Sequence, residues 1–157
     1  MKNAPALELS LFVRQWGATA VPFAELSAEA WLETPLGQRA CTLLQQTASL
    51  RSVLLLSGAN GVGKSALVSR WLAGLDRRLF HPLLLTHATL SSSGLLSALT
   101  TQLGKPARGQ RVVNLHQIQA ALIELGQAVP LIILDEAQNL AYGSLEEVRL
   151  LLGLNLA

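Results

Sequence analysis

Residues 53–65 read VLLLSGANGVGKS: a short apolar run, Val53 to Ser57, opens directly into Gly58-Ala59-Asn60-Gly61-Val62-Gly63-Lys64-Ser65. Two glycines five positions apart, followed by Lys and Ser, match the phosphate-binding loop pattern, and four such specified positions arise by chance in roughly one chain in a hundred of this length. The loop's backbone N–H groups must converge on phosphate oxygens, and glycines at 58, 61 and 63 allow conformations and close approach that a Cβ would block. The apolar run predicts a buried strand before the loop. A helix is expected after it, from about Lys64 to Leu75, adding a positive N-terminal dipole.

These residues assign a candidate site. Gly58, Asn60, Gly61, Val62, Gly63, Lys64, Ser65 and Ala66 form the phosphate-binding set, with ATP as the ligand. Lys64 is the charge that bridges the β- and γ-phosphates, and the Ser65 hydroxyl is a ligand for Mg²⁺. Leu131-Ile132-Ile133-Leu134-Asp135-Glu136 supplies the second half: an apolar strand delivering an aspartate to the C-terminal edge of the sheet, where ligands of open α/β sheets bind. This is the Walker B pattern, in which Asp135 holds the Mg²⁺ shell. Glu136 is placed to polarise a water for attack on the γ-phosphate, which makes Lys64 and Glu136 the candidate catalytic pair.

Working outward, the elements alternate. Thr34-Pro35 reads as an N-cap and first helical residue, followed by an apolar stripe of Leu36, Ala40, Leu43 and Leu44 up to about Ala48. Pro82–Thr86 is a second buried strand, and a helix with Leu95, Leu96, Leu99 and Leu103 follows and stops at Gly104. Asn114 is positioned to cap a helix carrying Leu115, Ile118, Leu122 and Leu125; Pro130–Leu134 is a third strand. Ser144 and Glu147 form a capping box before Leu145, Val148, Leu151 and Leu152. The order implies an α/β fold with a parallel sheet, the three-layer sandwich of P-loop NTPases, incomplete with about three core strands.

Composition narrows the class. The chain has 157 residues, half apolar and 14% charged, the make-up of a globular protein. No apolar run reaches the roughly 18 residues of a membrane span, and residues 1–10 lack the pattern of a secretory signal, so a cytoplasmic location is expected. The single cysteine, Cys41, reads as a small core residue on a helix, and three scattered histidines build no structural zinc site. Net charge is −1 over residues 1–50, +7 over 51–111 and −4 over 112–157. The basic middle suits either a polyanion or a solvated face. Trp16, Trp31 and Trp71 fall in or beside apolar stripes and read as packing residues. His81 and His116 read as surface or helix-face residues, while His87, after the second strand, is placed either to contact Glu136 or the γ-phosphate or to bond loop backbone.

The same residues separate P-loop classes. Neither an Asp-x-x-Gly switch after the second strand nor an Asn-Lys-x-Asp base reader is present, which argues against a GTPase. A small-molecule kinase does not need Glu136, since its nucleophile is the substrate.

The loop Gly58–Ser65, LIILDEAQNL at 131–140 and SLEEVRLLL at 144–152 together resemble the AAA+ ATPases of the ExeA-like group, which includes secretion-pathway ATPases and TniB- and IstB-related helpers encoded beside transposases. Trp16-Gly17, Pro22-Phe23 and LSSSGLLSALTTQLG at 90–104 extend the resemblance over nearly the whole chain. It implies an ATP- and Mg²⁺-dependent ATPase working as a homo-oligomer on DNA, a transposase or another macromolecule, with the N-terminal segment beside the adenine. His87-Ala88 stands where the group has Asn-Pro, which implies slow hydrolysis. On the same resemblance, residues 1–50 precede the P-loop and 51–157 are the N-terminal part of an AAA+ domain without its sensor strand, arginine finger and lid. Such a truncation would leave strand edges unpaired and favour aggregation. The alternative is a nucleotide-binding interaction module, or a remnant, without turnover.

Overall fold

The computed structural model describes residues 13, 15–17, 32–86 and 90–153. By its contacts the chain divides into two units, 1–38 and 39–157. Helix α1, Pro35–Ser49, crosses that division, and it starts where the Thr-Pro pair predicts: the Gly37 N–H donates to Thr34 Oγ1 at 3.1 Å. The anticipated stripe on α1 is largely uncovered. Ala48 is its buried residue, and Leu36 and Leu43 are exposed.

In the second unit, α2 (Lys64–Ala73) follows the glycine loop, then β1 (Phe80–Leu85), α3 (Ser92–Gln102), α4 (Arg111–Glu124), β2 (Val129–Leu134), a 3-10 turn (Ala137–Asn139) and α5 (Tyr142–Leu152). Strands β1 and β2 are parallel, in register from Phe80 opposite Val129 to Leu85 opposite Leu134. Because strand side chains alternate, the pair has two apolar faces. Phe80, Leu84, Val129, Leu131 and Ile133 pack with Ala48, Val68, Trp71, Leu72 and Leu75 from α1, α2 and the turn after α2. Leu83, Leu85, Ile132 and Leu134 face the other way, onto Leu95, Leu96, Leu99, Ile118, Val148 and Leu151. Helices thus cover both faces of the pair.

The expected strand Val53–Ser57 is not a strand. Among the described residues the sheet has two strands rather than about three, and Val53 and Leu55 are 72% and 83% exposed. An apolar run records a demand for burial, whereas a strand exists only through hydrogen bonds to a neighbour. Val129 N–H to Leu79 O and Asp135 N–H to Leu85 O show which groups face across the pair. Alternation therefore points the Leu84 carbonyl away from β2, where the Gln102 side chain donates to it at 2.6 Å. The same alternation points the Ile132 and Leu134 peptides to the outer edge of β2, and residues 52–59 make no ladder with either strand.

Three further expectations are corrected, two of them by tertiary partners. Asn114 lies inside α4, 1% exposed, and does not cap it: its amide donates to Arg108 O at 2.8 Å and Ser97 Oγ at 3.2 Å, while its Oδ1 accepts from Arg108 N–H at 2.8 Å. The side chain has been recruited to clamp the loop before α4. Ser144 and Glu147 make no capping box either, because α5 begins earlier, at Tyr142. Ser144 Oγ instead donates to Leu90 O at 2.6 Å, and Glu147 accepts from Arg111 Nε at 2.7 Å and Nη2 at 2.9 Å. Cys41, placed on α1 as anticipated, is half-buried in an open groove rather than a core residue.

Candidate nucleotide site

Loop 58–63 enters α2 through two left-handed glycines, Gly61 at φ 79° and Gly63 at φ 90°. L-residues adopt such backbone only under strain, and nothing lies within 4 Å of where a Cβ would stand at either position. The loop is therefore an open cradle formed by glycine conformation. Lys64, first residue of α2, folds its side chain back: Nζ donates to the carbonyls of Gly58 at 3.0 Å and Ala59 at 3.1 Å. The ammonium is held within the loop by neutral acceptors, so its charge remains available to an anion.

Asn60, Gly61, Gly63, Lys64, Ser65 and Ala66 line a cleft of about 290 Å³, and Glu136 closes it from the other side. That volume falls just below the range for small-molecule sites, about 300–1,000 Å³. The structure thus brings together six of the eight predicted loop residues and the predicted base, 70 or more positions away in sequence. Gly58 contributes its carbonyl to Lys64 rather than lining the cleft, and Val62 points to solvent, 64% exposed. Asp135 follows directly on β2, its N–H bonded to Leu85 O, and its Oδ1 accepts the Glu136 N–H at 3.0 Å.

Glu136 has a left-handed backbone, φ 54°, uncommon outside glycine and costly for a long side chain. It caps the 3-10 turn, with Asn139 N–H on its carbonyl at 2.9 Å, and its Oε2 accepts from Gln138 Nε2. Sequence reasoning missed Gln138. The DEAQNL stretch was its signal, but only the left-handed turn shows that residues 136 and 138 face each other.

Ser65 and Asp135, the expected magnesium ligands, both carry hard oxygens; Ser65 lines the cleft and Asp135 does not, its Oδ1 being engaged by the Glu136 N–H. Among the described residues no group of three or more His, Cys, Asp or Glu could hold a metal unaided. Mg²⁺ characteristically takes few protein oxygens and completes its shell with phosphate and water. Hydrogen bonds from Arg78 and Arg149 hold the Asp76 and Glu146 carboxyls below their usual range, and Glu147 raises Arg111.

Of the remaining candidates, Trp71 packs in the core and donates Nε1–H to Gln45 Oε1 at 3.2 Å, whereas Trp16 is 74% exposed. His81 is half-buried on β1 and His116 exposed on α4. His87, Trp31 and Pro22-Phe23 lie outside the described residues. The basic middle segment is partly neutralised: Arg78 pairs with Asp76, Lys105 with Glu124 and Arg111 with Glu147.

A glycine cradle with its lysine tucked beneath, facing the acidic end of a parallel strand, is built for nucleotide phosphates and belongs to the P-loop class. More specifically, the chain belongs to the AAA domain family, whose model matches residues 46–156, so it is an AAA-type P-loop ATPase domain by family. Members bind nucleotide, usually with Mg²⁺. No curated protein and no solved structure gives a significant match. Among the described residues no helix is long and apolar enough to cross a membrane.

Proposed function

We propose that the chain binds ATP with Mg²⁺ and hydrolyses it, as an AAA+ ATPase module. The observation that carries this reading is the position of Glu136 on the same cleft as Lys64 and Ser65. A binding site needs the cradle and the lysine; an added carboxylate opposite the phosphates serves a reacting water. Lys64 and the α2 N-terminus stabilise charge on the transferring phosphoryl group, while Ser65 and Asp135 are the residues that would hold Mg²⁺. The metal, when bound there, would supply charge neutralisation to the phosphates. Glu136 takes a proton from water as the water oxygen bonds to the γ-phosphorus and the bond from that phosphorus to the β-γ bridging oxygen breaks, giving ADP and phosphate.

The uncovered Val53–Ser57 run supports a larger module, in which a further segment pairs with it and completes a three-layer sandwich around residues 51–157. A homo-oligomer acting on DNA beside a transposase is the role we favour over a secretion-pathway role, with a cytoplasmic location. The basic middle segment supports it only where its charges are not already paired internally. A second reading, nucleotide binding without turnover, is favoured by the cleft lining, in which Lys64 is the sole cation among the described residues.

Titration with a fluorescent ATP analogue and Mg²⁺, beside phosphate release by the parent and Glu136→Gln, tests both readings. Saturable binding with turnover lost in the variant supports hydrolysis. Equal binding with no turnover in either selects the second reading, and no binding by folded protein rejects both.

A further inference from the structure

The geometry points to Gln138 as a positioning residue that orients the Glu136 carboxylate toward the cleft, an inference that rests on Glu136 being the water-activating group. Glu136 is exposed, and an exposed glutamate with no partner samples several rotamers. Here its Oε2 is engaged by the Gln138 amide, and Oε1 is left as the acceptor for water. A neutral donor fixes direction without cancelling the carboxylate's charge, as Lys or Arg at 138 would.

The backbone is arranged for this bond. Glu136 is held at φ 54° by the Asp135 carboxylate on its N–H and by Asn139 N–H on its carbonyl, and the resulting 3-10 turn carries Gln138 back over Glu136. Strained backbone at a cleft residue persists only where the surroundings over-determine it. Gln138 is absent from the cleft lining, so its effect passes through Glu136 and not through contact with nucleotide.

The test compares steady-state ATP turnover and fluorescent-ATP affinity in the full chain for the parent, Gln138→Leu, Gln138→Glu, Glu136→Gln and the double variant Glu136→Gln/Gln138→Leu. Loss of orientation by about 1 Å lowers turnover by one to two orders of magnitude, so kcat of Gln138→Leu is expected to fall about tenfold or more, with KM and affinity changed by less than about twofold. Gln138→Glu, which sets a second carboxylate against the first, falls at least as far. The double variant matches Glu136→Gln alone, because the second change has nothing left to orient.

Parent-like or raised kcat in Gln138→Leu, with Glu136→Gln inactive, overturns this inference and leaves the hydrolytic reading standing. Affinity lost in parallel with kcat, or a double variant well below Glu136→Gln, overturns it as well, by showing a role apart from Glu136. A parent that binds ATP without turnover removes the base and, with it, the role assigned to Gln138.

Discussion

The Lys64 ammonium lies 3.0 Å from the carbonyl oxygen of Gly58, the residue that opens the loop six positions earlier. The loop thus holds its own cation through backbone acceptors, and no carboxylate among the described residues forms an ion pair with it. Lys64→Ala removes the loop's anchor and its charge together. Hydrogen bonds to charged groups contribute about 1.5–3 kcal/mol each, so ATP affinity is expected to fall about 100-fold or more, read by fluorescent-analogue titration.

Glu136 trades stability for position. Glycine removes the left-handed strain, so Glu136→Gly is expected to raise stability by about 1 kcal/mol, or a melting temperature gain of about 2–4 °C, while abolishing turnover. Calorimetry beside a phosphate-release assay checks the pair of effects. A loss of stability would show that the Gln138 contact outweighs the strain.

Leu55, 83% exposed in an unpaired apolar run, is expected to drive self-association. Leu55→Lys should slow aggregation measured by light scattering. Stability should change by less than about 0.5 kcal/mol, as for other surface substitutions.

Asn114 joins α4 to the Arg108 backbone and to Ser97 of α3. Asn114→Ala leaves the Arg108 N–H and carbonyl without that partner in a partly buried setting, and a loss of about 2–4 kcal/mol is expected in urea unfolding. Nucleotide affinity per folded molecule is unaffected, since the cleft is elsewhere.

Asp76 and Glu146 contribute to the acid response. Their folded pKa values are depressed by bonds from Arg78 and Arg149, so their stabilisation is present above the unfolded values and lost as pH falls through the folded ones. Melting temperature is expected to hold from pH 7 to about 5 and decline below about pH 4, where ordinary carboxylates titrate. Asp76→Asn with Glu146→Gln flattens that decline. Both groups are exposed, so the effect is small and weakens in salt.

Much of the site was legible because its logic is local. The loop's glycines are demanded by backbone conformation within eight consecutive residues, and Thr34-Pro35 specifies a helix start within four. The parallel strands around Pro82 and Pro130 announced themselves by short apolar runs, each starting earlier than expected and the first ending at Leu85 rather than Thr86. What failed had partners far away. Ser144 and Glu147 have the spacing of a capping box, yet Leu90 and Arg111 took those side chains. Asn114 has the chemistry of a helix cap and was drawn instead to the loop ahead of its helix.

Charge shows the same division. Along the sequence the middle third stands out as basic, but Lys105 and Arg111 meet Glu124 and Glu147 from the acidic final third once α4 and α5 are each packed on α3. By itself the sequence determined the phosphate loop, the acidic end of β2 and the alternation of strands with helices, since each follows from neighbours within a turn or a strand. Tertiary structure alone decided that Glu136, held left-handed by its own sequence neighbours, faces the cleft of the glycine loop. It also decided that Val53–Ser57 is no strand, because hydrogen-bond pairing is supplied by whichever segment lies alongside and not by the residues of the run.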